Sequence, residues 1–390
     1  MKKLKLTANI LFAGIGCQER GLENSGVIDL DVLAISEIDR SAICGYAAIH
    51  KGLTQEMINN YAPYPDEEEM IRELTDKNIG FDPKKEKAYN WKKDRKEIRK
   101  HWLASRLCNN LGDINKIEVL PMADFWSCSF PCTDISCAGE GKGMEEDTGT
   151  SSSLVWPAMR LLETAVEGGT QPKYLLFENV KNLTEKFMPD FQKLLGKLHS
   201  LGYETYWEVI DAKDCGIPQI RKRVFVICIR EDAGLGRYIF PTPFECKLRV
   251  GDILSPKSIS RPIQDRRLVA LLDALAAGSV PYDIGIQDAP AGRGAEKEKG
   301  CYSAERLTPG QCFQLMGLTQ EDADKCRDLG IADGQICRQA GNGIVTNCVQ
   351  LIGEHLYKLV VDPSFVCTDE RENGHVWVSG SYNWLYMETA

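Results

Sequence analysis

The chain opens with a short, largely apolar stretch, KLTANILF at residues 5–12, which runs into a glycine turn, AGIG, and a polar helical segment, CQERGLENSG. A second apolar stretch, VLAISEID from Val32 to Asp39, ends in acidic residues. Strand, glycine turn, helix and strand in that order open a doubly wound α/β sheet. Four more stretches have the length and apolar character of buried strands: residues 123–130 (ADFWSCSF), 174–180 (YLLFENV), 203–212 (YETYWEVIDA) and 223–230 (RVFVICIR). Helical spacing is found between them, at residues 152–167 and 188–202, and again at residues 341–360. The last of these helices is expected to start at its Gly-Asn-Gly.

Residues 51–107 break this rhythm. PDEEEMIRELTD is acidic, and residues 83–100, PKKEKAYNWKKDRKEIRK, carry nine Lys or Arg against three acids. Both segments read as helical. One reading is a solvated helical insertion; the other is a basic helix beside a phosphate backbone, with Tyr89 and Trp91 interleaved among the charges. From about residue 236 the chain turns rich in Pro, Gly, Ser and Arg, and helical signals return after 302. The organisation expected is a cofactor-binding unit over 1–235 that contains the insertion, a small loop-rich module over 236–301, a return to the first unit over 302–362, and a tail over 363–390.

With 43% apolar and 26% charged residues among 390, the chain has the composition of a soluble globular protein with ample core. The basic start of MKKLKLTANILFAGIG imitates a secretion signal, but Gln18, Glu19 and Arg20 follow at once without a cleavage site, so the cytoplasm is the expected compartment. The 15 cysteines are scattered, and Cys128, Cys132 and Cys137 lack the spacing of a zinc site, so reduced thiols and no metal are expected. A net charge of −9 speaks by itself against nucleic acid as a partner, although the average conceals the local basic run in the insertion.

The glycine turn, Phe12, Ala13, Gly14, Ile15 and Gly16, lies where backbone amides and a helix N-terminus meet a ligand. Glu37 follows at the spacing from which an acidic side chain reaches ribose hydroxyls. The third glycine of a dinucleotide fingerprint is missing, since Glu19 stands there. That combination favours S-adenosylmethionine, which has a ribose but no pyrophosphate, over a nicotinamide cofactor.

With these blocks in place, the chain resembles the C5-cytosine DNA methyltransferase family. The resemblance is carried in order by FAGIG (12–16), SEID (36–39), GDI (112–114), FPCTDIS (130–136), SSL (152–154), ENV (178–180), QIRKR (219–223), RLTPGQCFQLMG (306–317) and GNGIV (341–345). It implies a Rossmann-like methyltransferase fold, a mixed and mostly parallel seven-stranded sheet with a small target-recognition module. By position it implies Cys132 as nucleophile, Glu178 at the ring N3 edge, Arg223 at the base carbonyl, and Gln219 and Arg221 in support. Phe12, Gly14, Gly16, Glu37, Ile38, Asp113, Ile114 and Asn342 would line the methyl-donor site, with Pro131 and Leu154 at its edge.

Those residue types suit the reaction. A thiolate added to carbon 6 of cytosine breaks the ring's aromaticity and makes carbon 5 nucleophilic, and the thiol can leave afterwards. A carboxyl at N3 and a guanidinium at O2 stabilise the charge that develops. No side chain declares itself as the base for the carbon-5 proton, so a water is the candidate. A stacked base cannot reach a thiol, so the cytosine must be extruded from duplex DNA, with the loop bearing Gly139, Gly141, Lys142 and Gly143 closing over it. Candidate DNA contacts are Thr133, Ser136, Lys142, Arg249, Lys257, Arg261, Arg266, Arg267, Arg306 and Thr308. The family often has Gln where Thr133 stands and Arg and Glu where Gly310 and Gln311 stand, which touches DNA contacts and not the reaction type. A monomer working in restriction-modification, with a cognate endonuclease in the cell, is the expected setting. The alternatives are a tRNA cytosine-5 methyltransferase and a catalytically silent DNA-binding relative.

Overall fold

The six apolar stretches form one sheet. In the computed structural model the described residues are 2–83, 85–136, 143–145, 149–235, 237–253, 260–262, 303–305, 307–365, 375–376 and 385–386. The strands are β1 (Leu4–Leu11), β2 (Ile28–Ser36), β3 (Phe125–Cys128), β4 (Tyr174–Val180), β5 (Tyr203–Asp211) and β6 (Lys222–Arg230), in the order β2-β1-β3-β4-β6-β5. β1 to β4 run parallel, and β6 is antiparallel to both β4 and β5. The seventh strand implied by the resemblance is not part of this sheet among the described residues. The second strand begins earlier than its apolar pattern suggested, and Glu37 to Asp39 lie beyond its end.

Alternation along each strand feeds two cores, because successive side chains point to opposite faces. In β4, Leu175 and Phe177 enter one core while Tyr174 and Leu176 enter the other. Helices α1 (Cys17–Asn24) and α2 (Arg40–His50) cover one face. The insertion supplies α3 (Gln55–Asn60), α4 (Glu67–Asp76) and α5 (Arg95–Leu107), and α5 packs against α2. Helices α6 (Val155–Glu167) and α7 (Met188–Ser200) bury Leu161, Leu162, Phe191 and Leu195 on the other face.

The charged insertion departs from its expected form. Among the described residues, 83 and 85–90 form no helix, a single tight turn follows at Trp91–Lys93, and the α-helix starts only at Arg95. Trp91 is buried, and Tyr89 lies under the Arg40 guanidinium, 3.6 Å from the ring centroid. Neither aromatic ring is a free stacking platform for a base. Ile98, Trp102 and Leu103 of α5 are core residues, and the Trp102 indole donates to Glu73 Oε2 at 2.8 Å. The charged pattern therefore conceals an amphipathic helix whose apolar stripe, widely spaced, is anchored in the main core.

The chain returns through α8 (Pro309–Gln314), α9 (Gln320–Asp328), α10 (Asp333–Asn342) and α11 (Thr346–Val361). The Gly-Asn-Gly expected to start the last helix instead ends α10, and Gly343 to Val345 form an extended link before α11. Arg20 reaches Asp322 at 3.0 Å and Arg338 reaches Asp39 at 2.6 Å, so ion pairs join this return to the start of the chain. Tyr238 and Phe240 are buried in the core, where the Tyr238 hydroxyl donates to the Ile352 carbonyl at 2.8 Å. The segment just past residue 236 thus packs with the first unit.

Candidate active site

Parallel strands end on the same edge of a sheet, and that edge is where an open α/β fold receives ligands. β1, β3 and β4 deliver the glycine turn, the loop carrying Cys132, and Glu178 to it. Because β6 runs the other way, its beginning lies at this edge too, with Arg223 opposite Val180. One reversed strand thus brings QIRKR to ENV.

The turn after β1 is held in a left-handed conformation at Phe12, Gly14 and Gly16, with φ of 55°, 57° and 81°. Glu37 ties it down: its Oε2 accepts from the Gly14 N–H, and its Oε1 accepts from the N–H groups of Ile38 and Asp39, each at 2.8 Å. Burial pushes the Glu37 pKa up, and the backbone donors pull it back. From below, the His50 Nε2 lies 3.1 Å from the Ile15 carbonyl, Nε2–H being the donor tautomer that this contact requires. A carboxylate offers about four lone-pair sites, so Glu37 retains acceptor capacity for ligand hydroxyls. Above Gly14 there is open space where a Cβ would point, as a close-approaching ligand requires. Ala13 and Ile15 are buried, Phe12 is half-buried, and Asn342 is exposed at the end of α10. Ile114 is buried, Pro131 and Leu154 are half-buried, and Asp113 caps a short turn through Asn115.

The two glycines separate into different tests. A Cβ on Gly16 would lie 2.2 Å from the His50 Nε2, whereas one on Gly14 meets nothing within 4 Å. G16A is expected to destabilise the fold by roughly 2–4 kcal/mol, backbone strain and steric clash together, and G14A by about 1 kcal/mol. Urea unfolding of the two variants checks this order; equal losses would refute the steric argument.

Cys132 is half-buried, and its carbonyl accepts from the N–H groups of Ile135 and Ser136 at 3.1 and 2.9 Å, which coils the loop into a tight turn. Three side chains and one backbone N–H pin that loop. Asn179 donates to the Phe130 carbonyl at 3.0 Å, Asn182 to the Ile135 carbonyl at 2.6 Å, and Gln18 to Ser129 Oγ at 2.9 Å. The Ser152 N–H donates to Asp134 Oδ2 at 3.2 Å. Thr133 is exposed and Ser136 half-buried.

Glu178 is buried, and its Oε1 lies 3.4 Å from Arg223 Nε. Burial pushes the Glu178 pKa up, while Arg223 and then Arg221 draw it down. The same groups act on Cys132: burial and the Glu178 charge push the thiol up, and Arg223 and Arg221 pull it down. Thiol, carboxylate and two guanidiniums therefore share one electrostatic neighbourhood.

The Q-x-R-x-R side chains do not point to one target. Gln219 donates to the Leu315 carbonyl at 2.7 Å, which fastens the return segment. The Arg221 guanidinium donates to the carbonyls of Gly341 and Gly343 at 2.8 Å each, gripping the α10–α11 link. Arg223 alone forms the ion pair with Glu178. Gln219 and Arg221 lie before β6, which starts at Lys222, and their side chains reach the return segment.

Among the candidate DNA contacts, Arg249 is exposed. Thr308 is an N-cap whose hydroxyl accepts from the Gln311 N–H, so helix capping occupies part of its hydrogen-bonding capacity. Arg261 belongs to a short strand, Ser260–Pro262, paired with Ser303–Glu305. Lys142, Lys257, Arg266, Arg267 and Arg306 lie outside the described residues, as do Gly139 and Gly141.

The profile of the C-5 cytosine-specific DNA methylases matches residues 69–270, a little over half of the chain. The type II methyltransferase M2.ScrFI of Lactococcus lactis subsp. cremoris is 33% identical over 365 residues, spanning 89% of this chain and 98% of that relative. The chain belongs to the C-5 cytosine-specific DNA methylase family. The orphan methyltransferase M.SssI of Spiroplasma monobiae is 35% identical over 234 residues, 58% of this chain and 60% of that protein. The fold is also that of the Entamoeba histolytica methyltransferase EhMeth, with a TM-score of 0.53 at 15% identity over 91% of this chain and 99% of the other. The S. pombe Dnmt2 methyltransferase gives 0.52 at 16% identity over 92% and 99%. As a cytosine-5 DNA methylase the protein acts on DNA, and among its described residues no helix is long and apolar enough to cross a membrane. Four residues that clamp the methylase's Cys132 loop carry no role in the sequence: Asp134 and Ser152, which lie inside the matching blocks FPCTDIS and SSL, and Gln18 and Asn182, which lie outside any block. For Gln18 and Asn182 the only sequence signal is a polar side chain beside an apolar run, which is too common to single them out.

Proposed function

We propose that Cys132 is the nucleophile of this DNA cytosine-5 methylase, with Glu178 and Arg223 as the groups that activate the base. The observation that carries the reading is the Glu178–Arg223 pair beside the half-buried Cys132 thiol at the ligand-binding edge of the sheet. A cytosine extruded from the duplex meets the Cys132 sulfur at carbon 6. As the C–S bond forms, electron density moves towards N3 and carbon 5. Glu178, whose pKa is raised by burial, gives its proton or a hydrogen bond to N3, and Arg223 faces the O2 side. S-adenosylmethionine, when bound, supplies the electrophilic methyl group that carbon 5 accepts. A water takes the carbon-5 proton, the C–H electron pair restores the 5,6 double bond as the C–S bond breaks and sulfur leaves as thiolate, and N3 returns its proton to Glu178.

The glycine turn, Glu37, Ile38, Asp113 and Ile114 form the methyl-donor site in this reading. Residual acceptor capacity on Glu37 and the open space above Gly14 support that fit. Arg221 and Gln219 are positioning residues, because their bonds fasten the return segment against the catalytic edge. Pro131, Leu154 and Asn342 complete the rim of that site, and Thr133, Ser136 and Arg249 face the DNA. A cognate restriction endonuclease is the proposed biological partner, on the strength of the type II relative.

The test is a duplex carrying 5-fluorocytosine, from which no carbon-5 proton can be removed. With S-adenosylmethionine present, a covalent protein–DNA adduct stable to denaturation is expected with the native protein and absent with C132S. A native protein that methylates DNA yet forms no such adduct would overturn the nucleophile assignment. Adduct formation with fluorocytosine tRNA instead of DNA would shift the substrate to RNA.

A further inference from the structure

We propose that the charged insertion is an outer wall of the methyl-donor site, and that Asn78 is a positioning residue for Asp113. This rests on the reading of Ile38 and Asp113 as residues that line that site. The end of α4 and the turn that follows it, residues 76–80, are bonded directly to both. The Gly80 N–H donates to the Ile38 carbonyl at 2.7 Å, and the Asp113 N–H donates to the Lys77 carbonyl at 3.0 Å. Asn78 Nδ2 donates to Asp113 Oδ2 at 2.7 Å. The amide is held from its other end, since Lys116 Nζ donates to Asn78 Oδ1 and to the Asp76 carbonyl, each at 2.9 Å.

Packing around this turn is close on both sides. A Cβ on Gly112 would lie 2.3 Å from the Lys77 carbonyl oxygen, so the insertion presses on the GDI segment. A Cβ on Gly80 would lie 2.7 Å from Arg40 Cδ and 2.9 Å from the Tyr89 Cβ. Arg40 in turn spans Tyr89 and Asp94, at 3.6 Å from the ring centroid and 3.7 Å from the carboxylate. The basic stretch is thereby fixed against the helix that follows Ile38 in addition to the core contacts of α5, and the turn after α4 adds an attachment at the methyl-donor site.

The consequence for Asp113 is orientation. Its Oδ1 accepts from the N–H and the Nδ2 of Asn115 at 2.9 and 3.0 Å, and its Oδ2 accepts from Asn78. A carboxylate that accepts three such bonds keeps about one acceptor site, on Oδ2, and holds it in a fixed direction for an N–H or O–H donor of a ligand. Asn78 has a φ of 54°, a left-handed backbone that Asn tolerates and Gly adopts freely. N78G therefore deletes the amide without straining the turn.

The experiment is calorimetric titration of the full-length protein with S-adenosylhomocysteine, for native, N78G, D113A and the double variant. N78G is expected to weaken binding about five- to tenfold and D113A by at least as much, with the double variant no more than about twofold worse than D113A alone. In steady-state methylation N78G should raise KM for the methyl donor with kcat at saturation unchanged, a split that general destabilisation would not give. The isosteric D113N replaces D113A should the latter unfold. Weakening by D113A but not by N78G overturns the role of Asn78 alone. Equal loss from N78G in both backgrounds shows that Asn78 does not act through Asp113, and also overturns it. An unaltered affinity in D113A instead removes the underlying assignment of the site.

Discussion

Replacing Cys132 by serine is expected to lower the methylation rate by about four orders of magnitude or more, while duplex binding persists. A hydroxyl at that position is hardly ionised near neutral pH and is a poor nucleophile towards carbon 6, whereas a thiol supplies a reactive thiolate. Removal of an activated nucleophile costs on the order of 10⁴- to 10⁶-fold where the rest of the site is intact. The loop should survive the change, since it is held by Asn179, Asn182, Gln18 and Ser152 and not by the sulfur. Transfer of a labelled methyl group to a cytosine-containing duplex measures the loss, and electrophoretic shift measures binding. A C132S enzyme within tenfold of the native rate would exclude covalent catalysis by this residue.

The second large effect is expected at Glu178. E178Q should reduce the rate by roughly 10²- to 10⁴-fold, because an amide cannot pass a proton to N3 as sulfur adds. The same change should make Cys132 more easily ionised. The negative charge of Glu178 pushes the thiol's pKa up, so a neutral amide there lets it fall. The pH profile of Cys132 alkylation by iodoacetamide should therefore move to lower pH in E178Q. R223A removes a positive charge that pulls the thiol down, and should move the profile to higher pH. A more reactive cysteine in a slower enzyme is the signature of a carboxyl that serves the substrate and not the thiol. Loss of both alkylation and methylation in E178Q would point instead to collapse of the site.

Much of this protein was legible in the chain because its sheet is buried on both faces. The central strands β3, β4 and β6 are short, largely apolar runs bounded by turn residues, whereas the edge strand β2 opens on the alternating IDLD that its apolar pattern missed, and the two helices between β3, β4 and β5 show their apolar stripes plainly. The reaction was legible for a different reason. Its chemistry demands a thiol, a carboxyl and a guanidinium, and those residue types stood within motif blocks in the order of a known family. The insertion was harder to read. Its charge count described only the exposed side of α5, while Ile98, Trp102 and Leu103, too widely spaced to read as a run, sank into the core. Gly341 to Gly343 misled in the opposite way, since glycines that suggest a helix start here end one helix and link it to the next.

The sequence by itself determined the strands, the glycine turn, and the residue types from which the reaction could be named, because these depend on local periodicity and on side-chain chemistry. Tertiary structure alone decided which side chains meet. The antiparallel entry of β6 sets Arg223 against Glu178 and releases Arg221 and Gln219 to hold the return segment. The turn at residues 76–80 comes to rest against Ile38 and Asp113 in the same way. Hydrogen bonds between groups far apart in the chain leave no periodic trace in it, since each partner is a common polar residue until the fold brings the other within about 3 Å.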